Sequence, residues 1–241
     1  MHMGYEERYR AAYAAGVRCA TGREHGADAH CRAFLEHLPS RGRLADFGCG
    51  EGPMALVAAK LGYQAMAIDS APSAIARALE ANCHPNIEFL CADVCELHEL
   101  APDSFDVAID IGCLHIIASD DAAARYLSHA YRLLRPGGSA YYQNLVPADD
   151  AQTWFPQETK LVESWRERLR EARTKATVLR SYEVGGRTVE VEMPVIPSAR
   201  RGLVQQVALL SRAGFVVESA RVVTPGMNSP FEAILVAHKP E

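Results

Sequence analysis

The sequence lacks any long apolar run. Its hydrophobic stretches in 241 residues are interrupted well before the ~18 residues that a membrane-crossing helix needs. It also lacks the basic, apolar and small-residue order that marks a secretory signal at the N-terminus. We therefore expect a protein with no membrane partner and a cytoplasmic location.

Basic residues are not in excess either. Lys and Arg number 25 against 30 Asp and Glu, which gives a formal net charge of −5. Proteins that bind nucleic acids usually present a basic face or stripe. The one basic-rich stretch, residues 166–180, is interrupted by Glu167 and Glu171, as in a solvated helix face. The composition therefore predicts no nucleic-acid partner.

The seven cysteines follow no framework. Their number is odd, and Cys91 and Cys95 lie four residues apart with no second pair at zinc spacing. Reduced thiols in a cytoplasmic protein are the simplest interpretation, with no metal site.

What the sequence does contain is a regular alternation of strand and helix patterns. Strands are predicted at 43–47, 64–69, 87–91, 105–111 and 139–145. Helices are predicted at 53–61, 72–82 and 120–134, and a turn at 136–138. Such alternation predicts a parallel sheet with right-handed crossovers.

The remaining segments frame this core. Two N-terminal helices, at 5–18 and 27–38, form a predicted cover over residues 1–39. Residues 147–199 form a predicted inserted lid, with a charged helix near 157–173 and a hairpin of 177–184 and 188–193. A helix at 201–213 and strands at 215–223 and 231–238 complete a main domain assigned to 40–146 and 200–241.

A glycine-rich loop from Asp46 to Gly52 stands directly between the first strand and the next helix. Closely spaced glycines let the backbone approach a ligand, and the helix directs its N-terminus towards it. The third glycine comes one residue earlier than in the dinucleotide fingerprint, where Pro53 stands instead. Asp46 would repel a pyrophosphate but attract an ammonium group. Both departures favour a ligand with a cationic amino-acid end.

Acidic residues follow the next two strands. Asp69 lies 17 residues after Gly52, where a carboxylate can accept hydrogen bonds from both ribose hydroxyls. The alternative is that Asp69 only caps the helix that starts at Pro72. Asp93 follows the third strand and can accept from an adenine amino group, although aspartate is also common in turns.

These motifs, with the stretch from Leu133 to Gly138, resemble those of class I S-adenosylmethionine-dependent methyltransferases of small molecules. The resemblance covers about residues 40–145 and 215–238. It implies an α/β, Rossmann-like sheet of seven strands in the order 3-2-1-4-5-7-6, with the last strand antiparallel. It also implies S-adenosylmethionine as cofactor. The implied cofactor-binding residues are Asp46, Gly48, Cys49, Gly50, Gly52, Asp69, Ser70, Asp93, Val94, Asp110 and Gly112.

The resemblance places the methyl-donor side of the site after the fourth strand. His115 stands there, where many small-molecule methyltransferases carry a histidine beside the methyl group. A histidine can take a proton from an oxygen, nitrogen or sulfur acceptor, so we predict it as the catalytic residue. The alternative is a histidine that is satisfied in the helix cap or the core.

Acceptor binding is predicted for polar and aromatic groups on the cover, the fifth strand and the lid, with core packing as the alternative for the aromatic ones. They are Tyr13, Asn144, Trp154 and Trp165. Some family members hold magnesium with acids after strands four and five, but Gln143 replaces one of these acids here.

The sequence thus predicts in-line transfer of a methyl group to a small-molecule acceptor by a monomer or homodimer. A nicotinamide-dependent oxidoreductase and a non-catalytic nucleoside-binding domain are the alternatives.

Overall fold

The computed structural model describes residues 3–20, 28–199, 201–224 and 231–241. The helices are α1 (Met3–Ala14), α2 (Ala29–His37), α3 (Pro53–Lys60), α4 (Pro72–Ala81), α5 (Asp120–Leu133), α6 (Ala148–Trp154), α7 (Thr159–Thr174) and α8 (Leu203–Arg212). The strands are β1 (Arg43–Phe47), β2 (Gln64–Asp69), β3 (Ile87–Cys91), β4 (Phe105–Ile111), β5 (Leu134–Leu145), β6 (Thr177–Val184), β7 (Arg187–Pro194), β8 (Val216–Val223) and β9 (Glu232–His238).

The main sheet has the strand order β3-β2-β1-β4-β5-β9-β8. Strand β2 runs parallel to β1 and β3, and β4 runs parallel to β5, whereas β9 is antiparallel to both β5 and β8. The predicted fold class and order are confirmed, because β8 and β9 are the sixth and seventh strands of the prediction. Strands β6 and β7 form a separate antiparallel hairpin.

The chain divides into two compact units. The first comprises Met1–Val94 and Lys175–Ile196, and the second comprises Cys95–Thr174 and Pro197–Glu241. The β6-β7 hairpin thus belongs to the first unit, and α6 and α7 belong to the second. The predicted division into cover, main domain and lid stays a prediction.

In the first unit, α3 and α4 pack against the β1-β2-β3 part of the sheet, and α1 packs against β7 and α4. A small apolar cluster joins α1 to the hairpin through Ala12, Val17, Val191 and Met193. Burial of these side chains removes apolar surface from water and holds α1 in place.

In the second unit, α5 and α8 pack together, and α8 also packs against β8. Helix α5 begins at a hydroxyl cap, where Ser119 Oγ accepts from the Ala122 amide at 3.2 Å. Its acidic first turn suits the positive end of the helix dipole.

Strand β5 differs from the prediction. The expected turn at 136–138 is part of the strand, which begins at Leu134. The pairing with β4 slips between Phe105 and Val107, and Gly137 adopts a φ of 70°. A β-bulge of this kind accommodates extra residues without ending the strand. In the part of the chain that the structure describes, no helix is long and apolar enough to cross a bilayer.

Candidate functional site

The glycine loop folds into a tight turn at the carboxyl end of β1. Gly48, Gly50 and Gly52 all have positive φ, at 69°, 56° and 78°. The amides of Gly48 and Cys49 donate to the Ile68 carbonyl at 2.8 and 2.9 Å. A Cβ on Gly52 would lie 2.6 Å from a ring carbon of Phe89, so both the backbone angle and the space require glycine.

Asp69 supports this loop from the end of β2. Its Oδ2 accepts from the Gly50 amide and its Oδ1 from the Ala71 amide, each at 2.9 Å. Burial raises the pKa of Asp69, and the hydrogen bonds from Ala71 and Gly50 act in the opposite direction. A carboxylate has about four lone-pair sites, so these two bonds and a third from the Ser70 backbone still leave acceptor capacity for a ribose hydroxyl.

The adenine-side candidates follow β3. In register, Asp69 is paired with Cys91, and the Ala92 amide donates to the Asp69 carbonyl at 3.0 Å. Asp93 and Val94 come next, the first half-buried and the second buried. Within the first unit, the glycine loop, Asp69 and the segment that leads into Asp93 and Val94 therefore lie at the carboxyl ends of β1, β2 and β3.

The other predicted cofactor-binding residues beside the glycine loop and Asp69 are Asp46, Cys49 and Ser70. Asp46 and Cys49 are 3% and 7% exposed, and Ser70 is half-buried. The backbone of Ser70 also contributes a hydrogen bond that lowers the pKa of Asp69.

Glu51 is a residue of this loop that the sequence analysis missed. Its side chain is 4% exposed and accepts from the Tyr13 hydroxyl at 2.7 Å, the Ala20 amide at 2.8 Å and Cys19 Sγ at 3.2 Å. Burial and then the charge of Glu51 raise the pKa of Tyr13. Glu51 therefore ties the end of α1 and residues 19–20 to the glycine loop.

Helix α1 is attached at its other end through Glu6. The Glu6 carboxylate accepts from the Ser73 amide at 3.0 Å and the Ser73 hydroxyl at 2.5 Å. Ala71, the cap residue of α4, has no side chain that can cap, so Glu6 takes that role and places a negative charge at the helix N-terminus. Between these attachments Tyr9 packs on Ala71, and its pKa is raised by burial and then by Asp69.

Substitution of Glu51 by alanine should release residues 13–20 from the loop. Partly buried donors on Tyr13 and Ala20 would lose a charged acceptor, at a cost of roughly 2–3 kcal/mol in the free energy of unfolding. Hydrogen exchange at the Ala20 amide should accelerate accordingly. In the matched Glu51→Gln variant the amide oxygen still accepts from both donors, so exchange should stay near the wild-type rate. Unchanged protection of Ala20 in the alanine variant would contradict this assignment.

In the second unit, Asp110 is completely buried at the end of β4. Its Oδ1 accepts from the Cys113 amide at 2.8 Å and from Asn144 Nδ2 at 3.2 Å. Its Oδ2 accepts from the Tyr126 hydroxyl at 2.9 Å and the Leu114 amide at 3.0 Å. Burial raises the pKa of Asp110 to about 6, against the effect of these hydrogen bonds. The carboxylate is thus occupied by protein donors, which favours an organising role over the predicted direct contact with the cofactor.

His115 lies on the short 3₁₀ turn that follows. Its backbone amide and its ring Nδ1 both contact Asn144 Oδ1, at 3.0 and 3.1 Å. The ring lies over Gly112, where a Cβ would come within 3.3 Å of the His115 Cε1 atom. Gly112 has a φ of 89°, so glycine suits both the turn and the ring above it.

Arg201 holds the same turn and was not predicted. It is buried, and its guanidinium donates to the carbonyls of Leu114 and Ile117 at 3.2 and 3.0 Å and to Asp120 at 2.9 Å. The Ala199 amide donates to the His115 carbonyl at 2.7 Å. No local pattern around Arg201 signals this role, because its partners lie far away in the sequence.

The predicted acceptor-binding residues have different environments. Trp165 is 5% exposed and its Nε1 donates to the Val146 carbonyl at 3.0 Å, which favours the packing alternative. Trp154 is 45% exposed. Tyr13 contacts Glu51, and Asn144 contacts Asp110 and His115, as described above. An acceptor-binding role for any of them stays a prediction.

Part of the chain is similar in sequence to known methyltransferases. Residues 44–138 match a methyltransferase domain family. A ubiquinone biosynthesis O-methyltransferase from Albidiferax ferrireducens is 32% identical over 118 residues, which cover 46% of this chain and 45% of that protein. The phthiotriol/phenolphthiotriol dimycocerosates methyltransferase of Mycobacterium leprae is 29% identical over 57% of this chain and 49% of its own length. The chain spans about half the length of the curated relatives it matches.

The fold also matches solved structures. The 1,6-didemethyltoxoflavin-N1-methyltransferase of Burkholderia thailandensis, solved with 1,6-didemethyltoxoflavin and S-adenosylhomocysteine, superposes with a TM-score of 0.62. The match covers 99% of this chain and 88% of that one at 19% identity, so it concerns the fold alone. Residues 44–138 are thus similar in sequence to a methyltransferase domain family, and the chain has the Rossmann-like fold of solved methyltransferases.

Proposed function

We propose that this protein transfers a methyl group from S-adenosylmethionine to a small-molecule acceptor. One observation carries the proposal: a partly buried carboxylate, Asp69, supports the glycine loop and retains acceptor capacity at the carboxyl end of β2. The matching methyltransferase domain covers this loop and strand. Ligands of open α/β sheets bind at the carboxyl ends of the strands.

The residues of the first unit fit the nucleoside and amino-acid parts of the cofactor. Asp69 is suited to the two ribose hydroxyls, and Asp93 with Val94 to the adenine. The glycines present backbone without side chains, so a ligand can approach closely. Asp46 supplies negative charge for an ammonium group. These features support S-adenosylmethionine better than a dinucleotide, whose pyrophosphate is anionic.

The bound cofactor supplies a methyl group that its sulfonium cation makes electrophilic. The protein's part is then to bind, orient and exclude water, and to accept a proton where the acceptor has one to lose. We assign proton acceptance to His115. The family resemblance gives the end of β4, which leads into His115, to the methyl-donor side of the site.

A small-molecule acceptor is supported by the relatives. The names of the ubiquinone biosynthesis and toxoflavin enzymes describe methylation of small molecules. The net charge of −5 gives no electrostatic reason to prefer a nucleic acid. We also propose a reducing, cytoplasmic location, which the seven free cysteines support.

Calorimetric titration of the protein with S-adenosylmethionine, S-adenosylhomocysteine and NADH tests the cofactor assignment. We expect micromolar binding of the two sulfur nucleosides and none of NADH. Binding of NADH instead would favour the oxidoreductase alternative. Sulfur-nucleoside binding without methyl transfer to any of a panel of phenols, thiols and amines would favour the non-catalytic alternative.

A further inference from the structure

We propose that Asp110 and Asn144 are positioning residues that hold the neutral imidazole of His115 as the Nδ1–H tautomer. The Nε2 atom then keeps its lone pair and is the atom that accepts the proton. The role of Nε2 as the proton acceptor rests on the proposed function, whereas the tautomer is a property of the protein alone. All three residues belong to the second unit.

The orientation of the Asn144 amide is fixed at two points. Its Nδ2 lies 3.2 Å from Asp110 Oδ1, and its Oδ1 lies 3.0 Å from the backbone amide of His115. A flipped amide would set its oxygen against a carboxylate oxygen and its NH₂ against an N–H donor. Both contacts would be repulsive, so the hydrogen-bond network permits one orientation only.

This orientation determines where the imidazole proton resides. The Nδ1 atom of His115 lies 3.1 Å from Asn144 Oδ1, which can only accept a hydrogen bond. The Nδ1 atom must therefore carry a hydrogen. In a neutral histidine the other nitrogen is then an acceptor, because the tautomer is set by the hydrogen bond at the first.

Asp110 serves as the fixed end of this relay. The Cys113 and Leu114 amides and the Tyr126 hydroxyl hold its two oxygens independently of Asn144. Its carboxylate therefore has little freedom to turn away from Asn144. The Cys113 and Leu114 amides also belong to the segment that leads into His115, so the same carboxylate positions the turn and, through Asn144, the ring.

Nuclear magnetic resonance of protein labelled with ¹⁵N-histidine tests the proposal, using long-range ¹H–¹⁵N correlations above the histidine titration. The nine histidines are distinguished by comparison with His115→Gln. We expect wild-type His115 to show an Nδ1–H pattern. In Asn144→Leu the Nδ1–H loses this acceptor, so the population should move towards the Nε2–H form.

Two variants separate a specific effect from general disturbance of the network. The Asn144→Asp variant keeps an oxygen that accepts from Nδ1. A proton shared between the new carboxyl group and Asp110 replaces the amide N–H. This variant should therefore retain the wild-type Nδ1–H pattern. Tyr126→Phe removes another hydrogen bond from the same Asp110 carboxylate but leaves Asn144 in place, and it should also retain the pattern. Both remain informative if Asn144→Leu fails to fold, because a shift towards Nε2–H in either one would contradict the relay.

The spectra decide the proposal separately from the proposed function. An Nε2–H pattern in the wild-type protein, or an unchanged pattern in folded Asn144→Leu, would overturn it whether or not the protein methylates anything. An Nδ1–H pattern that depends on Asn144, in a protein that binds no sulfur nucleoside, would uphold the tautomer assignment and refute the proposed function.

Discussion

Replacement of Asp69 by alanine is expected to weaken S-adenosylhomocysteine binding by roughly 10²- to 10⁴-fold. Hydrogen bonds to a charged group contribute about 1.5–3 kcal/mol each, and the proposed pair to the ribose hydroxyls would be lost together. The substitution also removes the acceptor for the Gly50 and Ala71 amides, which lie 2.9 Å from the carboxylate. The glycine loop would therefore lose support as well as its ligand contact. Calorimetric titration measures the change directly.

Asp106→Ala provides the matched control for that measurement. Asp106 is also a strand aspartate, but its partner is Arg135 at the surface, at 2.6 Å. Because exposed ion pairs contribute little, this variant should bind S-adenosylhomocysteine as the wild type does. Wild-type affinity in a folded Asp69→Ala protein would exclude Asp69 as the ribose-binding carboxylate and leave only its contacts to the loop.

The strands that carry the candidate site could be predicted from the sequence because residues close to them along the chain mark where they end. The predicted bounds of β1, β2, β3 and β4 agree with the structure to the residue. β1 and β4 end directly before a glycine and β2 ends in an aspartate, so these limits are set by neighbours along the chain. The start of β5 was predicted wrongly because its bulge depends on pairing with β4, which no local pattern shows.

The supports of the site were beyond sequence reasoning for a related reason. Glu51 and Arg201 act through partners that are distant in the chain, and their own surroundings give no signal. Asp110 illustrates the converse problem. An acid at a strand end suggests contact with a ligand, but the turn at Gly112 directs the Cys113 and Leu114 amides back onto the carboxylate. Such a turn becomes evident only when the backbone angles are known.

The pattern in both units is that charged groups organise short turns beside glycines. Glu51 and Asp69 hold the glycine loop in the first unit, while Asp110 and Arg201 hold the 112–117 turn in the second. Burying a charged group removes its hydration, which destabilises the fold unless hydrogen bonds satisfy the charge. Their hydrogen-bond partners are mostly backbone groups. The charges therefore fix the main-chain geometry at turns where the backbone approaches a ligand.

Replacement of His115 by glutamine is expected to lower kcat by about 10²- to 10⁴-fold for an acceptor that must lose a proton, because that is the usual contribution of a positioned general base. Glutamine can still donate to Asn144 Oδ1, so the turn should keep its structure. S-adenosylhomocysteine affinity should stay close to that of the wild type, since Asp69, Asp93 and Val94, which are proposed to bind its ribose and adenine, lie elsewhere in the chain. The measurement is the steady-state rate with whichever phenol, thiol or amine the wild-type protein methylates fastest.

His98→Gln is the corresponding control. It removes a histidine of the same unit whose side chain is 71% exposed and paired with Glu96, so kcat should remain at the wild-type value. A folded His115→Gln protein with unaltered kcat would show that the acceptor gives up its proton without His115 and that positioning by the protein alone drives the transfer.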